Sequence, residues 1–321
     1  MTDPRVLCLG EILFDCLADR AGEPIERVES WTPYPGGAPA NVACGLVKLG
    51  TSAGFVGCIG NDRPGDELVD LLLKVGVDIT GVQRHPTAPT RQVYVLRSND
   101  GDRIFAGFGD LPTDKFADTR LQAEELPEAL FAEAEFLVLG TLEMAYPKTR
   151  RAIERALELA DRYYTKIFLD VNWRPVFWND RAEGERTIWQ MMSRVDFVKL
   201  SQEEAQWLFS TTDAETIALR LNDVEGVLVT LGEQGCSYYL NDFAGRVDAF
   251  PVRVEDTTGA GDGFVAGLLH QLCRNGYKGL SDAATIERTV TYACAVGALT
   301  ATKPGAIAAQ PSARDVEAFG R

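Results

Sequence analysis

Asp262 stands at the head of a helical pattern, directly after Gly259-Ala260-Gly261 and shortly after the acid and hydroxyls of Asp256-Thr257-Thr258. Downstream, Phe264, Val265, Leu268, Leu269 and Leu272 recur at helical spacing, while Gly263, Ala266 and Gly267 let another backbone come close. The N–H groups of Gly259, Ala260 and Gly261 have no acceptor in a first helical turn. With the helix dipole behind them they form a pocket for an anion such as phosphate. A carboxylate there has two readings: an N-cap, or a general base held where an anion meets a substrate hydroxyl.

Other stretches offer polar groups at turns. Arg5–Gly10 reads as a buried strand that delivers Asp15 just past its end, where open α/β sheets bind ligands. Gly36 and Gly37 open a turn before a helix that carries Asn41 and turns Val42, Leu46 and Leu49 inward; by itself this is only a tight loop and a well-packed helix. After the strand Lys166–Asp170, the residues Asp170, Asn172 and Arg174 alternate and so project to one side. Ser201-Gln-Glu-Glu204 is an acidic first helical turn, and Thr230, Gly232 and Gly235 form a turn after the strand Gly226–Thr230. Arg91 is either a hydroxyl or phosphate ligand or an ordinary exposed strand residue.

These groups need a scaffold of alternating strands and helices, and the periodicity supplies one. Strands at Ala53–Gly60, Phe136–Gly140, Lys166–Asp170, Val195–Leu200 and Gly226–Thr230 alternate with helices near 64–75, 149–163, 203 onward, 262–275 and 283–301. That rhythm predicts an α/β fold with a mostly parallel central sheet between two helical layers. Between about 87 and 110 an alternating pattern with a hairpin turn at Asn99-Asp100-Gly101 breaks it, and residues 16–33 read as loop or exposed strand.

Composition narrows the classes. A net charge of −15 without a basic run argues against nucleic-acid or anionic-membrane surfaces. Seven scattered cysteines without a C-x-x-C pair fit reduced thiols, and no apolar run approaches membrane-spanning length, so a cytoplasmic protein is expected. Only His85 and His270 are present, which leaves no His-rich metal site; both read as structural. No G-x-G-x-x-G follows the first strand and no G-x-x-x-x-G-K-[ST] occurs, so dinucleotide and P-loop enzymes are not expected.

The run Asp256-Thr-Thr-Gly-Ala-Gly-Asp-Gly-Phe264 resembles the C-terminal signature of the ribokinase-like (PfkB) family of carbohydrate and nucleoside kinases. Gly36-Gly-Ala-Pro-Ala-Asn-Val-Ala43 resembles its N-terminal signature, closest to that of fructokinases. The resemblance runs from Gly10 to Gly305 in the family's order, and it implies that residues 14–33 and 86–111 form a small β lid beside a larger domain of 1–13, 34–85 and 112–321. It implies a ribokinase-like three-layer fold in which Asp262 takes the proton of the phosphorylated hydroxyl and Gly259, Ala260 and Gly261 bind the transferred phosphate. Asp15, Gly36, Gly37 and Asn41 would hold the sugar. Asn172 and Arg174, in a stretch similar to Asp-x-Asn-x-Arg of fructokinases and 2-keto-3-deoxygluconate kinases, would bind phosphate or substrate.

On the nucleotide side the resemblance assigns ATP to Thr230, Gly232 and Gly235, and Mg²⁺, through water, to Glu204. Thr302-Lys-Pro-Gly-Ala-Ile307 is similar to a loop that cages K⁺, with carbonyls near Thr300, Lys303 and Gly305 joining Asp256 and Thr258. The implied partners are a small sugar and ATP, and a homodimer is open. D-fructose is the expected substrate. The alternatives are 2-keto-3-deoxygluconate, ribose or a nucleoside, and, in a different class, a non-catalytic sugar-binding member of the same fold.

Overall fold

The computed structural model describes residues 3–97 and 103–319, and the expected turn at Asn99-Asp100-Gly101 lies outside them. The short apolar runs become strands of one nine-stranded sheet: β1 (Val6–Leu9), β4 (Ala53–Gly60), β5 (Asp78–His85), β8 (Phe136–Leu139), β9 (Lys166–Asp170), β10 (Phe197–Ser201), β11 (Gly226–Thr230), β12 (Cys236–Leu240) and β13 (Phe243–Val247). The spatial order is β13-β12-β11-β10-β9-β8-β1-β4-β5. All neighbours from β11 to β5 are parallel, and the hairpin β12–β13 adds an antiparallel edge.

Alternation along each strand feeds two cores. Val6 and Cys8 of β1 face one cluster, and Leu7 and Leu9 face the other. The first cluster lies under α1 (Ala38–Leu49), α2 (Arg63–Val75), α8 (Ala260–Asn275) and α9 (Ala283–Thr300). The second lies under α3 (Glu128–Glu133), α4 (Pro147–Tyr163), α5 (Arg181–Met192), α6 (Gln202–Phe209) and α7 (Ala214–Leu221). Two short helices, α10 (Ala306–Ala309) and α11 (Ala313–Phe319), close the described chain. The apolar spacing alone did not single out α5 and α7. Their start signals are aspartates: Asp180 accepts from the Ala182 N–H and Asp213 from the Thr216 N–H.

A second sheet holds four strands in the order β3-β2-β6-β7: β2 (Leu13–Ala18), β3 (Trp31–Gly36), β6 (Gln92–Arg97) and β7 (Arg103–Gly107). The edge-on Trp31–Tyr94 ring pair, 4.9 Å between centroids, packs across it. Because β3 runs on to Gly36, the Gly36–Gly37 turn is the seam between this sheet and α1. Gly37 is held there at φ 104°, and a Cβ would meet the Ile12 Cα at 2.9 Å.

The chain leaves β1 toward β4 and β5, then returns to lay β8 on the other side of β1. That reversal opens a crevice beyond the carboxyl ends of β1 and β8, where sheets of this kind bind ligands.

Candidate active site

The first turn of α8 removes the N-cap reading of Asp262. Gly259, at φ 78°, occupies the N-cap position, and Asp262 is the third helical residue and caps nothing. A Cβ on Gly259 would lie 2.8 Å from that of Ala306, so the glycine also admits the C-terminal loop. The Ala260 N–H closes a turn onto the Thr257 carbonyl at 3.2 Å, so of the three expected anion donors this one is already used. The N–H groups of Gly261 and Asp262 find no acceptor among the described residues.

Asn41, in the first turn of α1, donates its side-chain amide to Asp262 Oδ2 at 2.7 Å. Its own Oδ1 is buried without a partner, and its backbone carbonyl accepts from the Gln310 amide at 2.8 Å. The N- and C-terminal motifs thus meet in a single contact. Burial pushes the Asp262 carboxyl up to about 6; the Asn41 bond and the charges of Lys199 and Arg174 oppose this.

Lys199, a residue the sequence reading passed over, lies beneath this turn. It is buried on β10, with Nζ 3.1 and 3.2 Å from the two oxygens of Asp170, the last residue of β9. A Cβ on Gly261 would come within 3.2 Å of Nζ, so the ammonium sits directly under the glycine turn. Although burial works against its charge, the carboxylates of Asp170, Glu204 and Asp262 hold its pKa above the ordinary lysine value. A lysine inside a strand carries no local signal; only the pairing of β9 with β10 brings it to Asp170.

Glu204 fastens loops. Its carboxylate accepts from the Ser201 N–H at 2.7 Å and the Trp173 N–H at 2.6 Å, while Ser201 Oγ accepts the Glu204 N–H at 3.2 Å, completing a capping box. The acidic first turn anticipated for this stretch is therefore present, and burial raises the Glu204 pKa. The same bonds fix the 170–174 loop, where Asn172 adopts a left-handed φ of 40° and Arg174 is exposed.

At the crevice between β1 and β8 two further acids meet, neither of them anticipated. Glu11 and Glu143 are 5% and 1% exposed, and their carboxyls interact. Glu11 also accepts from the Ala38 N–H at 2.8 Å, and Glu143 Oε1 is buried without a partner. Burial raises both pKa values, Glu11 to about 6, and at Glu143 the neighbouring Glu11 charge adds to burial and carries that carboxyl well above the carboxylate range. Asp15 lies beside this region on β2, its Oδ2 3.0 Å from where a Gly36 Cβ would stand. The signal available in the sequence was position: Glu11 and Glu143 each follow a strand end at the reversal of strand order.

Thr230, Gly232 and Gly235 share a cleft of about 520 Å³ with Ala260 and Gly261, and Val254, Phe264 and Cys294 give it an apolar lining. Asp256 stitches the neighbouring loops: it accepts from the Thr258 N–H and hydroxyl at 3.0 and 2.7 Å and from the Gly305 N–H at 3.0 Å. Thr300, at the end of α9, is fully buried and donates its hydroxyl to the Val296 carbonyl at 2.8 Å. Lys303 is exposed in the loop before Gly305.

Arg91 requires a correction. The sequence left it as a ligand or an exposed strand residue, and it is 1% exposed. Its guanidinium forms a two-pronged ion pair with Asp118, one prong at 2.9 Å, and also donates to the Thr113 carbonyl. The rings of Phe108, Phe116, Phe177 and Tyr146 enclose it at 4.6 to 5.9 Å. It anchors the start of β6 to the larger domain, because a buried guanidinium needs a carboxylate and rings more than it needs solvent.

Comparison with known proteins gives the family. The model of the pfkB family carbohydrate kinases matches residues 3–313. The chain belongs to that family. A member of this family is a carbohydrate kinase, a phosphotransferase with an alcohol acceptor. Among curated members it is 35% identical over 314 residues to fructokinase-1 of Zea mays, covering 97% of this chain and 96% of that protein. It is also 35% identical to a probable fructokinase-2 of Arabidopsis thaliana, covering 98% and 94%. Its fold superimposes on a fructokinase with bound ATP from Xylella fastidiosa with a TM-score of 0.87, 31% identity and coverage of 98% and 97%. A Vibrio cholerae fructokinase bound to fructose, ADP and calcium gives 0.85, 28% identity and 99% coverage of both chains. The ribokinase-like three-layer architecture with its small second sheet is therefore this family's fold. No helix among the described residues is long and apolar enough to cross a membrane.

Proposed function

We propose that this carbohydrate kinase transfers the γ-phosphoryl group of ATP to the primary 6-hydroxyl of D-fructose. The observation that carries the reading is the Asn41–Asp262 contact, because it joins the sugar-side motif to the phosphate-side motif at one carboxylate. The fructokinase relatives along the full chain, and the fructose, ADP and ATP in their structures, support substrate and nucleotide.

In this mechanism Asp15, Gly36, Gly37 and the free Oδ1 of Asn41 bind sugar hydroxyls, with Glu143 Oε1 a further partner. Asp262 orients the reacting hydroxyl and accepts its proton as the bond to phosphorus forms. A carboxylate with a pKa of about 6 is a better proton acceptor than an ordinary aspartate and is still ionised at neutral pH. The Gly261 and Asp262 N–H groups, with the Lys199 charge beneath them and Arg174 nearby, stabilise the equatorial oxygens of the transferred group. Thr230, Gly232 and Gly235 line the nucleotide's cleft, and Asn172 helps to shape the phosphate side. The small β sheet, taken as 14–33 and 86–111, closes over the sugar and excludes water that would hydrolyse ATP.

The donor set suits Mg²⁺ only as ATP's companion. Among the described residues no group of three or more His, Cys, Asp or Glu could hold a metal, and the Glu204 oxygens already accept two backbone N–H groups. Mg²⁺ would thus be held by phosphates and water, with Glu204 as an outer carboxylate, and would neutralise phosphate charge. K⁺ would be held by Asp256 and Thr258 and by the carbonyls of Thr300, Lys303 and Gly305. The loop-stitching bonds of Asp256 and the potassium ion in a related Vibrio cholerae structure support this.

An ADP-release assay with fructose, 2-keto-3-deoxygluconate, ribose and adenosine, with and without K⁺, tests the reading. Fructose should exceed the others by at least about tenfold in kcat/KM. Preference for the keto acid would keep the mechanism and overturn the substrate. Sugar binding without turnover would favour a non-catalytic member of the fold.

A further inference from the structure

A second hollow, of about 370 Å³, lies at the β5 edge of the main sheet, between the end of that strand, the 120–124 turn and the start of α4. Its floor includes Cys58, Gln83 and Leu121. Gln83 is buried and clamps the turn twice, donating to the Gln122 carbonyl at 2.9 Å and accepting from the Gln122 N–H at 2.7 Å. The hollow is therefore preformed.

Its walls are cationic in an acidic chain. Arg84 pairs with Asp66 and Arg151 with Glu124, so those two charges are compensated. Arg120 and Lys148 form no ion pair among the described residues: Arg120 donates to the Asp114 carbonyl and its charge reaches the Asp114 carboxylate, which is paired with Lys115. Between them stands His85, whose Nδ1 accepts from the Thr87 and Ala88 N–H groups at 3.3 and 2.8 Å. That arrangement leaves the proton of the neutral ring on Nε2, as a donor. Burial, Arg120 and Lys148 together hold the His85 pKa below the ordinary histidine value.

We propose that this hollow is a second binding site, which takes the phosphoryl group of a small phosphorylated metabolite between Arg120, Lys148 and His85. Two unpaired cations and a neutral N–H donor suit a dianion that also accepts hydrogen bonds, and the volume is ample for a phosphate monoester. The site is separate from the kinase cleft and does not depend on which sugar that cleft phosphorylates. It adjoins the anchor of the small sheet, since Arg120 follows closely on Asp118, and Thr149, next to Lys148, donates its hydroxyl to the Asp118 carbonyl at 3.0 Å.

NMR of the two histidine rings in the isotope-labelled full chain tests the proposal. Inorganic phosphate is titrated against sodium chloride of equal ionic strength, with the kinase cleft saturated by ADP. The His85 ring should shift saturably with phosphate, and its pKa should rise by about one unit, because a nearby anion favours the charged ring. His270, whose Nδ1 bonds Thr51 Oγ1 at 2.8 Å, serves as the unshifted reference. Lys148→Gln, at an exposed position, should weaken the response, and Arg120→Gln with Lys148→Gln should abolish it without loss of sugar phosphorylation. An equal shift with chloride, a response removed by ADP, or one unchanged in the double variant would overturn the site. Glucose 1-phosphate separates the sources: saturation at lower concentration than phosphate assigns a sugar monoester, and no gain over phosphate assigns the free ion.

Discussion

Asn41 and Asp262 are 221 positions apart in sequence, and the Asn41 amide donates to an Asp262 carboxylate oxygen at 2.7 Å. The bond stabilises the ionised carboxylate and opposes the burial that raises its pKa to about 6. Asn41→Leu should therefore move the acid limb of the kcat/KM profile to higher pH than in the wild type. An unmoved limb with only a raised sugar KM would assign Asn41 to sugar binding alone.

The base itself sets that limb. In the wild type kcat/KM should fall as pH drops through about 6, because the proton taken up by Asp262 removes the acceptor. Asp262→Ala should lower kcat by roughly 10² or more while calorimetry still detects sugar binding. Turnover close to normal in that variant would remove Asp262 from the chemistry.

The same carboxylate should cost stability. Its pKa in the folded chain lies above its unfolded value of 3.8, so the folded state holds the proton more tightly. This group therefore makes stability greatest below about pH 4 and lowers it as pH rises through about 6. A shift of that size, discounted for partial exposure, corresponds to about 2 kcal/mol at neutral pH. Asp262→Asn should raise Tm at pH 7 and lose the advantage at pH 4 in thermal melts. A lower Tm at pH 7 would mean that the carboxylate is net stabilising.

Lys199 couples stability to catalysis. Lys199→Met leaves the buried Asp170 without its cation, which should cost about 3–5 kcal/mol in denaturant unfolding. With Asp170→Asn added, much of the stability should return, but kcat should stay low because the charge under Gly261 is missing. Recovery of kcat along with stability would restrict Lys199 to the fold.

Arg91→Met should unfold at lower denaturant, again by about 3–5 kcal/mol, because Asp118 is left buried and unpaired. A raised sugar KM with unchanged stability would reinstate Arg91 as a ligand.

The sequence by itself determined the βα rhythm, the family and the residues that cluster around α8. Those signals are local: apolar spacing for β4, β9 and β11, glycine turns at Gly36–Gly37 and Gly259–Gly261, and motifs read in order. Spacing alone could not separate the two readings of Asp262, because an N-cap and a third helical residue differ in backbone angle rather than composition; the resemblance chose the base, and the structure gives the cap to Gly259. Nor did the sequence find Lys199, Glu11 and Glu143, which sit in or beside apolar strands that look alike from within. Strand pairing sets Lys199 against Asp170, and the reversal of strand order sets Glu11 against Glu143. Arg91 is the converse case: a polar residue at the start of a strand looks available for binding, and only the packing of four distant rings and Asp118 around it makes it an anchor. Burial and charge pairing depend on neighbours far apart in the chain, so tertiary structure alone could decide them.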